Sequence, residues 1–283
     1  MKRKGYIALA LAAALLLPLS ACSKEPSDPY EGMVQVETGY GTPMWIRPYE
    51  GVAVNDLKPE DFVDGRYVGE DYEVKMGIDV SEHQKIINWS AVAADGIDFA
   101  IIRAGYRGYS VGGIFGDEYF FDNITGAAAN GLDVGIYFFS QATTVEEAEE
   151  EAIYLVSILQ NYPASIITLP VFYDWETIGT EPARTDGVGG ETITDCALAF
   201  ASKIEEAGYE GGVYAYRKLG YFSYDLSRMT HLTWWVATLS DYPDFYYKHD
   251  FWQYSITGSV DGITGEVDKN MLFIPRVAET AEQ

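Results

Sequence analysis

The sequence has 283 residues, of which 48% are hydrophobic and 22% charged, and its formal net charge is −24. This composition is typical of a folded globular protein with enough apolar residues for one large α/β domain or two smaller ones. A nucleic-acid-binding protein needs a basic surface to neutralise phosphates, so the acidic excess argues against that class of partner. The same excess argues against electrostatic docking on anionic lipid.

The N-terminus has the organisation of a secretory signal. Residues 2–4 (KRK) are basic, and residues 7–19 form an apolar run too short to span a bilayer comfortably. The run ends in LSAC, which resembles the lipobox of a bacterial lipoprotein. Removal of residues 1–21 leaves Cys22 as the lipid-carrying N-terminus; an ordinary secretory signal cut nearby is the alternative. In both cases we expect the mature protein to act outside the cytoplasmic membrane.

Composition divides the rest of the chain into four parts. Residues 22–30 are polar and contain prolines, as expected of a tether. Residues 31–73 are an N-terminal extension with aromatic residues among Gly, Pro and Asp, and their sequence leaves open whether they pack on the main domain. The main domain is predicted over residues 74–276, and residues 277–283 form a C-terminal tail.

The main domain alternates predicted strands and helices. In chain order the predicted elements are a strand at 75–80, a helix at 88–95, a strand at 99–104, a helix at 117–130, a strand at 132–139, a helix capped by Thr144 and reaching 159, a strand at 166–173, a helix at 192–207 and a strand at 211–216. Thereafter helices thin out, and strands are predicted at 232–238, 251–254 and 266–273. Buried strands separated by helices indicate a parallel sheet, and the lack of a GxGxxG turn after the first strand favours a barrel over a dinucleotide-binding sheet.

Acidic residues collect at the ends of predicted strands, where a barrel places its chemistry. Asp79 ends the first strand, Asp174 and Glu176 end the fourth, and Asp268 lies in the last. Side chains two residues apart on a strand point to the same side. We therefore expect Asp174 and Glu176 to face one cleft while Trp175 points away from it.

Two carboxyls in one cleft repel each other, which raises the pKa of one and leaves the other ionised. This division suits glycosidic cleavage, where a protonated acid assists the leaving oxygen and an anion supports the positive charge developing on the sugar. A DxE pair alone is common and is usually solvated or calcium-binding. Its position at a strand end, together with Asp79 and Asp268, favours the catalytic interpretation.

Several spaced blocks resemble glycoside hydrolase family 25, the lysozymes of the N-acetylmuramidase type. The blocks are GIDVSEHQ, INW, DFAIIRAGY, DNITGAAANGLDVGIYFF, LPVFYDWE, FWQYS and GEVDKN, which together extend over about residues 74–274. The resemblance implies an irregular TIM-like (β/α) barrel with fewer helices than strands. It implies hydrolysis of the β-1,4 bond between N-acetylmuramic acid and N-acetylglucosamine in peptidoglycan. By motif position it implies Glu176 as the general acid, with Asp79, Asp174 and Asp268 as the other carboxylates of the cleft.

Two positions depart from the family pattern. Phe138 stands where the third-strand motif usually has His (YHF), and Lys85 stands where Gly often follows HQ. Neither departure removes a carboxylate. We therefore expect them to affect substrate preference more than activity.

Six further residues are candidate substrate contacts: Tyr137, Tyr214, Trp235, Gln253, Tyr254 and Arg103. Aromatic rings at strand ends can stack on sugars, although the same residues fit a barrel core equally well. Arg103 either contacts a carboxylate of the substrate or pairs with Asp79 or Asp174 as a structural counter-ion, and the second interpretation is slightly favoured.

No metal and no cofactor is expected. His83 follows Asp79 by four residues, but the chain has 3 histidines that are not clustered in the sequence as zinc sites usually require. His83 is therefore interpreted as a structural hydrogen-bonding residue. Cys196 falls in a helical pattern and is interpreted as a small buried side chain.

The mechanism and the function each leave alternatives open. In one mechanism the substrate's acetamido group is the nucleophile, oriented by Asp174, while Glu176 protonates the leaving oxygen; direct inversion by a water is the rival. The alternative functions are a non-catalytic peptidoglycan-binding lipoprotein and a glycosidase acting on another amino-sugar polymer. Retention of all four acids argues against a binder. The expected partners are glycan strands and, through Cys22, the membrane, and we expect a monomer.

Overall fold

A computed structural model describes residues 28–39, 41–179 and 182–276. The predicted signal peptide (1–21), the lipidation site Cys22, most of the tether and the tail (277–283) lie outside the described residues. Within the described ranges, no helix combines the length and the apolar character needed to cross a bilayer.

The described residues form thirteen β-strands and five α-helices. The strands are β1 (Val34–Val36), β2 (Met44–Ile46), β3 (Phe62–Val63), β4 (Arg66–Tyr67), β5 (Tyr72–Val80), β6 (Phe99–Arg107), β7 (Ile114–Gly116), β8 (Asp133–Ser140), β9 (Val171–Trp175), β10 (Gly211–Tyr216), β11 (Thr233–Ala237), β12 (Phe251–Gly258) and β13 (Val267–Pro275). The helices are α1 (Trp89–Ala94), α2 (Phe120–Ala129), α3 (Val145–Leu159), α4 (Gly190–Glu206) and α5 (Arg217–Phe222).

Eight strands close into a barrel, in the order β5, β6, β8, β9, β10, β11, β12, β13 and back to β5. The six pairings from β5 through to β12 are parallel. In contrast, β13 runs antiparallel to both β12 and β5. The expected mixed α/β barrel with fewer helices in its C-terminal part is confirmed, and the antiparallel closure is where it departs from a regular (β/α) repeat.

Helices cover the outside of the parallel strands, so these strands are buried on both faces. Ile102 and Phe138 pack outward in the main core with the helices, whereas Ile101 and Phe172 point into the barrel. This double burial explains the continuous apolar runs in the sequence.

The outer face of β12, β13 and β5 is covered by the N-terminal extension instead of a helix. Trp252, Met271 and Phe273 form an apolar cluster there, against which the β3–β4 hairpin packs. The Phe62 ring meets the rings of Trp252 and Phe273 edge-on, with centroids 5.6 and 6.1 Å apart. The extension is therefore an ordered part of the barrel's wall.

The first half of the extension packs beside α5. Val36 of β1 and Ile46 of β2 are buried in the main core. The Tyr49 hydroxyl donates to the Tyr224 carbonyl (3.3 Å), and the Asn55 side chain donates to the Pro243 carbonyl (2.7 Å). These hydrogen bonds attach the extension to segments around 224 and 243 that follow β10 and β11.

Some observed boundaries differ from the predicted ones for identifiable reasons. Strand β9 begins at Val171, because Ala164–Ile166 form a 3₁₀ turn after Pro163. Helix α2 begins at Phe120, because the Asp117 carboxylate accepts the Tyr119 N–H and makes a turn there. The predicted cap of α3 is confirmed, since the Thr144 hydroxyl accepts the Glu147 N–H (3.3 Å).

We predict that Phe62→Ala lowers the free energy of unfolding by about 2 kcal/mol, less than a full core Phe→Ala because Phe62 is only partly buried. Its neighbour Val63 is 53% exposed on the same strand, so Val63→Ala should change stability by less than about 0.5 kcal/mol. Urea denaturation of both variants measures the difference. Equal stabilities would mean that the hairpin does not support the barrel.

Candidate active site

Strand alternation sorts the barrel interior into layers. An apolar layer lies at the amino ends of the strands and in the barrel centre: Phe99, Ile101, Phe172, Phe251 and Leu272. Tyr137, Tyr214 and Trp235 extend this interior cluster towards the carboxyl ends. The carboxyl ends of the parallel strands, together with the amino end of the antiparallel β13, carry the charged and amide side chains, so these side chains lie on top of a filled core.

A cavity of about 280 Å³ opens at these carboxyl ends. It is lined by all four predicted carboxylates: Asp79, Asp174, Glu176 and Asp268. Five predicted substrate contacts also line it: Arg103, Tyr137, Tyr214, Trp235 and Gln253. Within the described ranges, no three His, Cys, Asp or Glu side chains are grouped so as to hold a metal ion.

Tyr254 is not brought to this cavity. Its ring packs against Trp252 on the outer face of β12, with centroids 5.4 Å apart. Neighbouring residues on a strand face opposite sides, so the alternation that turns Gln253 inward turns Tyr254 outward.

The DxE segment has the expected arrangement. Asp174 ends the inward-facing series of β9, and Glu176 follows the strand's last residue and lines the same cavity. Trp175 points the other way and is buried in the main core, where its indole N–H donates to the Ala142 carbonyl (2.9 Å). The anchored indole holds the pleat that brings both carboxyls to one side.

Burial raises the pKa of both carboxyls in this segment. The pKa of Glu176 rises to about 7, through burial first and then the negative charge of Asp268, although a hydrogen bond with Asp174 opposes the rise. The pKa of Asp174 lies well above its ordinary value, through burial and then the charges of Glu176 and Asp79. The pair therefore retains a proton at neutral pH.

The carboxyls on the opposite wall are shifted in the same direction. Burial, followed by the charge of Asp268, raises the pKa of Asp79 to about 8. Burial, followed by the charge of Glu266, raises the pKa of Asp268 to about 6. Asp79 and Asp268 are direct register partners on β5 and β13, which explains their mutual repulsion.

Two amide side chains fix the orientation of Asp79. Gln253 Nε2 and Asn270 Nδ2 both donate to Asp79 Oδ2, each at 2.8 Å. Gln253 Nε2 also lies 3.2 Å from Asp268 Oδ2, so one amide joins the two carboxyls. These donors favour the anionic form of Asp79 but do not outweigh its burial.

Each amide is itself held from behind by an aromatic side chain. The Tyr214 hydroxyl donates to Gln253 Oε1 (3.0 Å), and the Trp235 indole N–H donates to Asn270 Oδ1 (2.8 Å). Tyr214 and Trp235 therefore have a structural task in addition to lining the cavity. Asn270 was not among the predicted site residues, although its spacing of two from Asp268 in GEVDKN places both on one strand face.

Gln141 is a second residue that the sequence analysis missed. It is fully buried after β8, and its Nε2 donates to the backbone carbonyl of Glu176 (2.6 Å). Its own carbonyl accepts Arg184 Nη1 (2.9 Å), and Thr185 donates to its Oε1 (3.3 Å). Gln141 thus holds the chain in place at Glu176, and a single glutamine in a loop has no sequence pattern that would reveal this.

Arg103 lines the cavity, but its hydrogen-bonded and ion-paired partners are not Asp79 or Asp174. Its Nε donates to Asp117 Oδ2 (2.8 Å), and its Nη2 lies 3.1 Å from Glu82 Oε1. Both partners are acids in loops beside the barrel mouth. Arg103 is therefore the counter-ion of these loops, and among the residues that the structure describes Asp79 and Asp174 have no ion-paired cation.

The two departures from the family pattern lie in different environments. Phe138 is fully buried on the outer face of β8 and does not line the cavity. Lys85 follows the short helix whose His83 and Gln84 line the cavity, and it has a φ of 57°. This left-handed conformation favours glycine, so a non-glycine residue there strains the loop at the cavity's edge.

The sequence profile of the family described as "Glycosyl hydrolases family 25" matches residues 78–263. The chain belongs to this family. The matched region contains Asp79, Asp174, Glu176 and Gln253, and the expectation of a glycoside hydrolase is confirmed at the level of the family.

Among individual relatives of this family 25 chain, Lysozyme M1 of Streptomyces globisporus is 28% identical over 203 residues, which covers 69% of this chain and 66% of that protein. The modular autolysin LytC of Streptococcus pneumoniae, solved in complex with a synthetic peptidoglycan ligand, is 24% identical with a TM-score of 0.59. That match covers 85% of this chain and 56% of LytC. The chain therefore spans less than two thirds of the length of either relative.

A bacterial lysozyme of Streptomyces coelicolor is also similar in structure, at 24% identity and a TM-score of 0.55. The match covers 73% of this chain and 93% of that lysozyme. At these identities, the two solved structures establish likeness of fold alone.

We predict that the buried Asp79 carboxyl destabilises the protein as pH rises. Its raised pKa means that the folded state binds more protons than the unfolded state between about pH 4 and about pH 8. Stability is therefore lost through that window, and Asp79→Asn should remove part of the loss. The difference in free energy of unfolding between the variant and wild type should therefore be more favourable to the variant at pH 8 than at pH 5, by on the order of 1–2 kcal/mol.

Urea denaturation at both pH values measures this gain. The control is Asp122→Asn, an exposed carboxylate on α2, which should show no such pH-dependent gain. If Asp79→Asn changed stability equally at pH 5 and pH 8, the raised pKa of Asp79 would be rejected.

Proposed function

We propose that this family 25 protein is a peptidoglycan hydrolase that cleaves the β-1,4 bond between N-acetylmuramic acid and N-acetylglucosamine. The observation that carries the proposal is one cavity lined by Asp174 and Glu176, with Asp79 and Asp268 on its opposite wall. Similarity to Lysozyme M1 and to an autolysin solved with a peptidoglycan ligand supports this substrate.

In this proposal Glu176 is the general acid that protonates the leaving glycosidic oxygen. A general acid must hold its proton near the working pH, and the raised pKa of Glu176, about 7, meets that requirement. Gln141 keeps its backbone in place from behind. The acid is thus positioned before substrate binds, and its raised pKa lets it hold a proton near neutral pH.

Asp174 orients the substrate's acetamido group, whose carbonyl oxygen attacks the anomeric carbon. Asp174 and Glu176 lie two residues apart on one side of the cavity, so they do not flank a bound sugar ring from opposite faces as a nucleophile–acid or base–acid pair would. An acetamido N–H that donates to Asp174 favours its anionic form and leaves the shared proton on Glu176. The arrangement supports attack by the substrate's own acetamido oxygen.

Asp79 and Asp268 line the wall opposite the acid, at the positions implied by the family motif. The pKa of Asp268, about 6, allows it to be ionised at neutral pH, and an anionic carboxylate there favours the positive charge that develops on the sugar ring in the transition state. Gln253 holds the two together through its single amide nitrogen. We assign the stabilisation of charge to Asp268 and the placement of the sugar to Asp79.

The same proposal includes the location of the enzyme. LSAC ends the apolar N-terminal run, so processing would leave Cys22 to carry a lipid. One lipid chain anchors weakly and lipoprotein-type multiple acylation anchors stably. We therefore place the enzyme outside the cytoplasmic membrane, tethered to it by residues 22–30 and facing the wall.

We predict that Glu176→Gln lowers kcat for cell-wall cleavage by about 10²–10⁴-fold, the usual contribution of a general acid. The amide keeps the shape of the side chain but has no proton to give at the leaving oxygen. Release of reducing ends from purified walls measures turnover, and circular dichroism checks the fold. Glu206→Gln, an exposed acid on α4, is the matched control, and full activity in Glu176→Gln would reject the assignment of the acid.

We further predict that cleavage proceeds with net retention of the anomeric configuration. Attack by the acetamido oxygen inverts the configuration of the anomeric carbon once and closes a ring onto that carbon. Attack of water on the same carbon opens this ring and inverts the configuration again. NMR of the first product released distinguishes the two anomers. Net inversion would replace this route with direct attack by water.

A further inference from the structure

A second cavity of about 280 Å³ lies at the carboxyl ends of β10 and β11. Its walls include Tyr216 and Lys218 after β10, Ala237 and Leu239 after β11, and Thr38 and Gly39 from the extension. The proposed reaction makes no use of it.

This cavity adjoins the catalytic one. Tyr216, Ala237 and Gln253 are successive register partners across β10, β11 and β12, and Gln253 lines the catalytic cavity. The Tyr216 hydroxyl also lies 3.2 Å from the hydroxyl of Thr177, the residue after Glu176. A polymer bound at Glu176 therefore has its neighbouring parts within reach of the second cavity.

The extension builds one wall of this cavity. The Thr38 hydroxyl donates to the Thr42 carbonyl (2.9 Å) and shapes the β1–β2 turn, in which Gly39 has a φ of 83°. Gly39 lies close to Arg217, since a Cβ added to it would stand 3.3 Å from Arg217 Nη1. The family profile begins at residue 78, so this wall comes from outside the matched region.

Two adjacent cations distinguish the cavity in a chain with 43 acidic and 19 basic residues. Arg217 is buried; its Nη2 donates to Ser240 (2.6 Å) and Asp244, while its Nε has no partner among the described residues. Lys218 is exposed and takes part in no ion pair within the described ranges. Asp244 offsets the charge of Arg217, so Lys218 is the cation of this wall that no ion pair within the described ranges neutralises.

We propose that this cavity binds the peptide stem of peptidoglycan, with a stem carboxylate facing Lys218 and Arg217. This inference rests on the proposed function. The stem leaves the glycan strand at the lactyl group of muramic acid, beside the bond that Glu176 acts on. Tyr216, Ala237 and Leu239 offer apolar surface to small alkyl side chains, whereas a neutral sugar would have no use for the cations.

The test compares two substrates, glycan strands that carry peptide stems and the same strands stripped of stems by an amidase. For Lys218→Ala we expect KM on stem-bearing strands to rise about three- to fivefold, as for an exposed charge pair, with kcat unchanged. On stripped strands we expect both parameters to match wild type. Lys203→Ala removes a lysine from the outer helix α4 and is the charge-matched control.

A second pair of variants separates charge from shape. Gly39→Asp and Gly39→Asn introduce side chains of equal size beside Arg217, and both residues tolerate the left-handed backbone better than most. The aspartate repels a carboxylate and competes for Arg217. We therefore expect Gly39→Asp to raise KM above that of Gly39→Asn on stem-bearing strands only.

Each outcome decides the proposal. An equal rise in KM on both substrates would mean that the cavity holds a sugar of the glycan, and no rise on either would mean that it holds no part of the substrate; both results overturn the stem assignment. Failure of the proposed function is distinct, because then the wild-type protein would cleave neither substrate.

Discussion

The hydrogen bonds from Gln253 and Asn270 to one oxygen of Asp79 are the interaction on which the rest of the structure depends. They join the first barrel strand to β12 and β13, the strands that close the ring. An ionisable carboxyl inside a barrel requires such partners, since burial without them is costly. Tyr214 and Trp235 hold the two amides from beneath. The contacts that close the barrel therefore also build the wall of the cavity that carries Asp79 and Asp268.

This construction sets stability against activity. Burial raises the pKa of these carboxyls, which the proposed acid catalysis requires, and it opposes their ionisation in the folded state. The charge of Arg103 opposes the raised pKa of Asp174 only in small part, because Asp117 and Glu82 hold the guanidinium at the loops. The apolar layer below, with Phe99, Phe172 and Phe251 packed ring to ring, offsets the cost of the acidic layer above it.

The sequence allowed prediction of features that depend on neighbours along the chain. Alternation placed Asp174 and Glu176 on one face, and applied consistently it would have added Asn270 to Asp268 and excluded Tyr254, the neighbour of Gln253. The partners of Arg103 and the role of Gln141 could not be read in this way. Asp117 contacts Arg103 from a loop, and Gln141 likewise contacts Glu176 across loops. Because Gln141 binds the backbone carbonyl of Glu176, the contact does not depend on which side chain stands at position 176.

The place of the extension follows from the direction of the strands. Parallel strands need a crossover, usually a helix that covers the sheet, whereas antiparallel strands can be joined by a short turn. β12, β13 and β5 pair antiparallel, so no crossover helix arises from their pairing, and Trp252, Met271 and Phe273 would face water. The β3–β4 hairpin covers them. Because the same segment begins with the β1–β2 turn beside Arg217, the covering of that outer face also brings Thr38 and Gly39 to the carboxyl ends of the strands. The irregular closure of the barrel thus gives residues outside the family profile a place in the wall of the cavity at the carboxyl ends of β10 and β11.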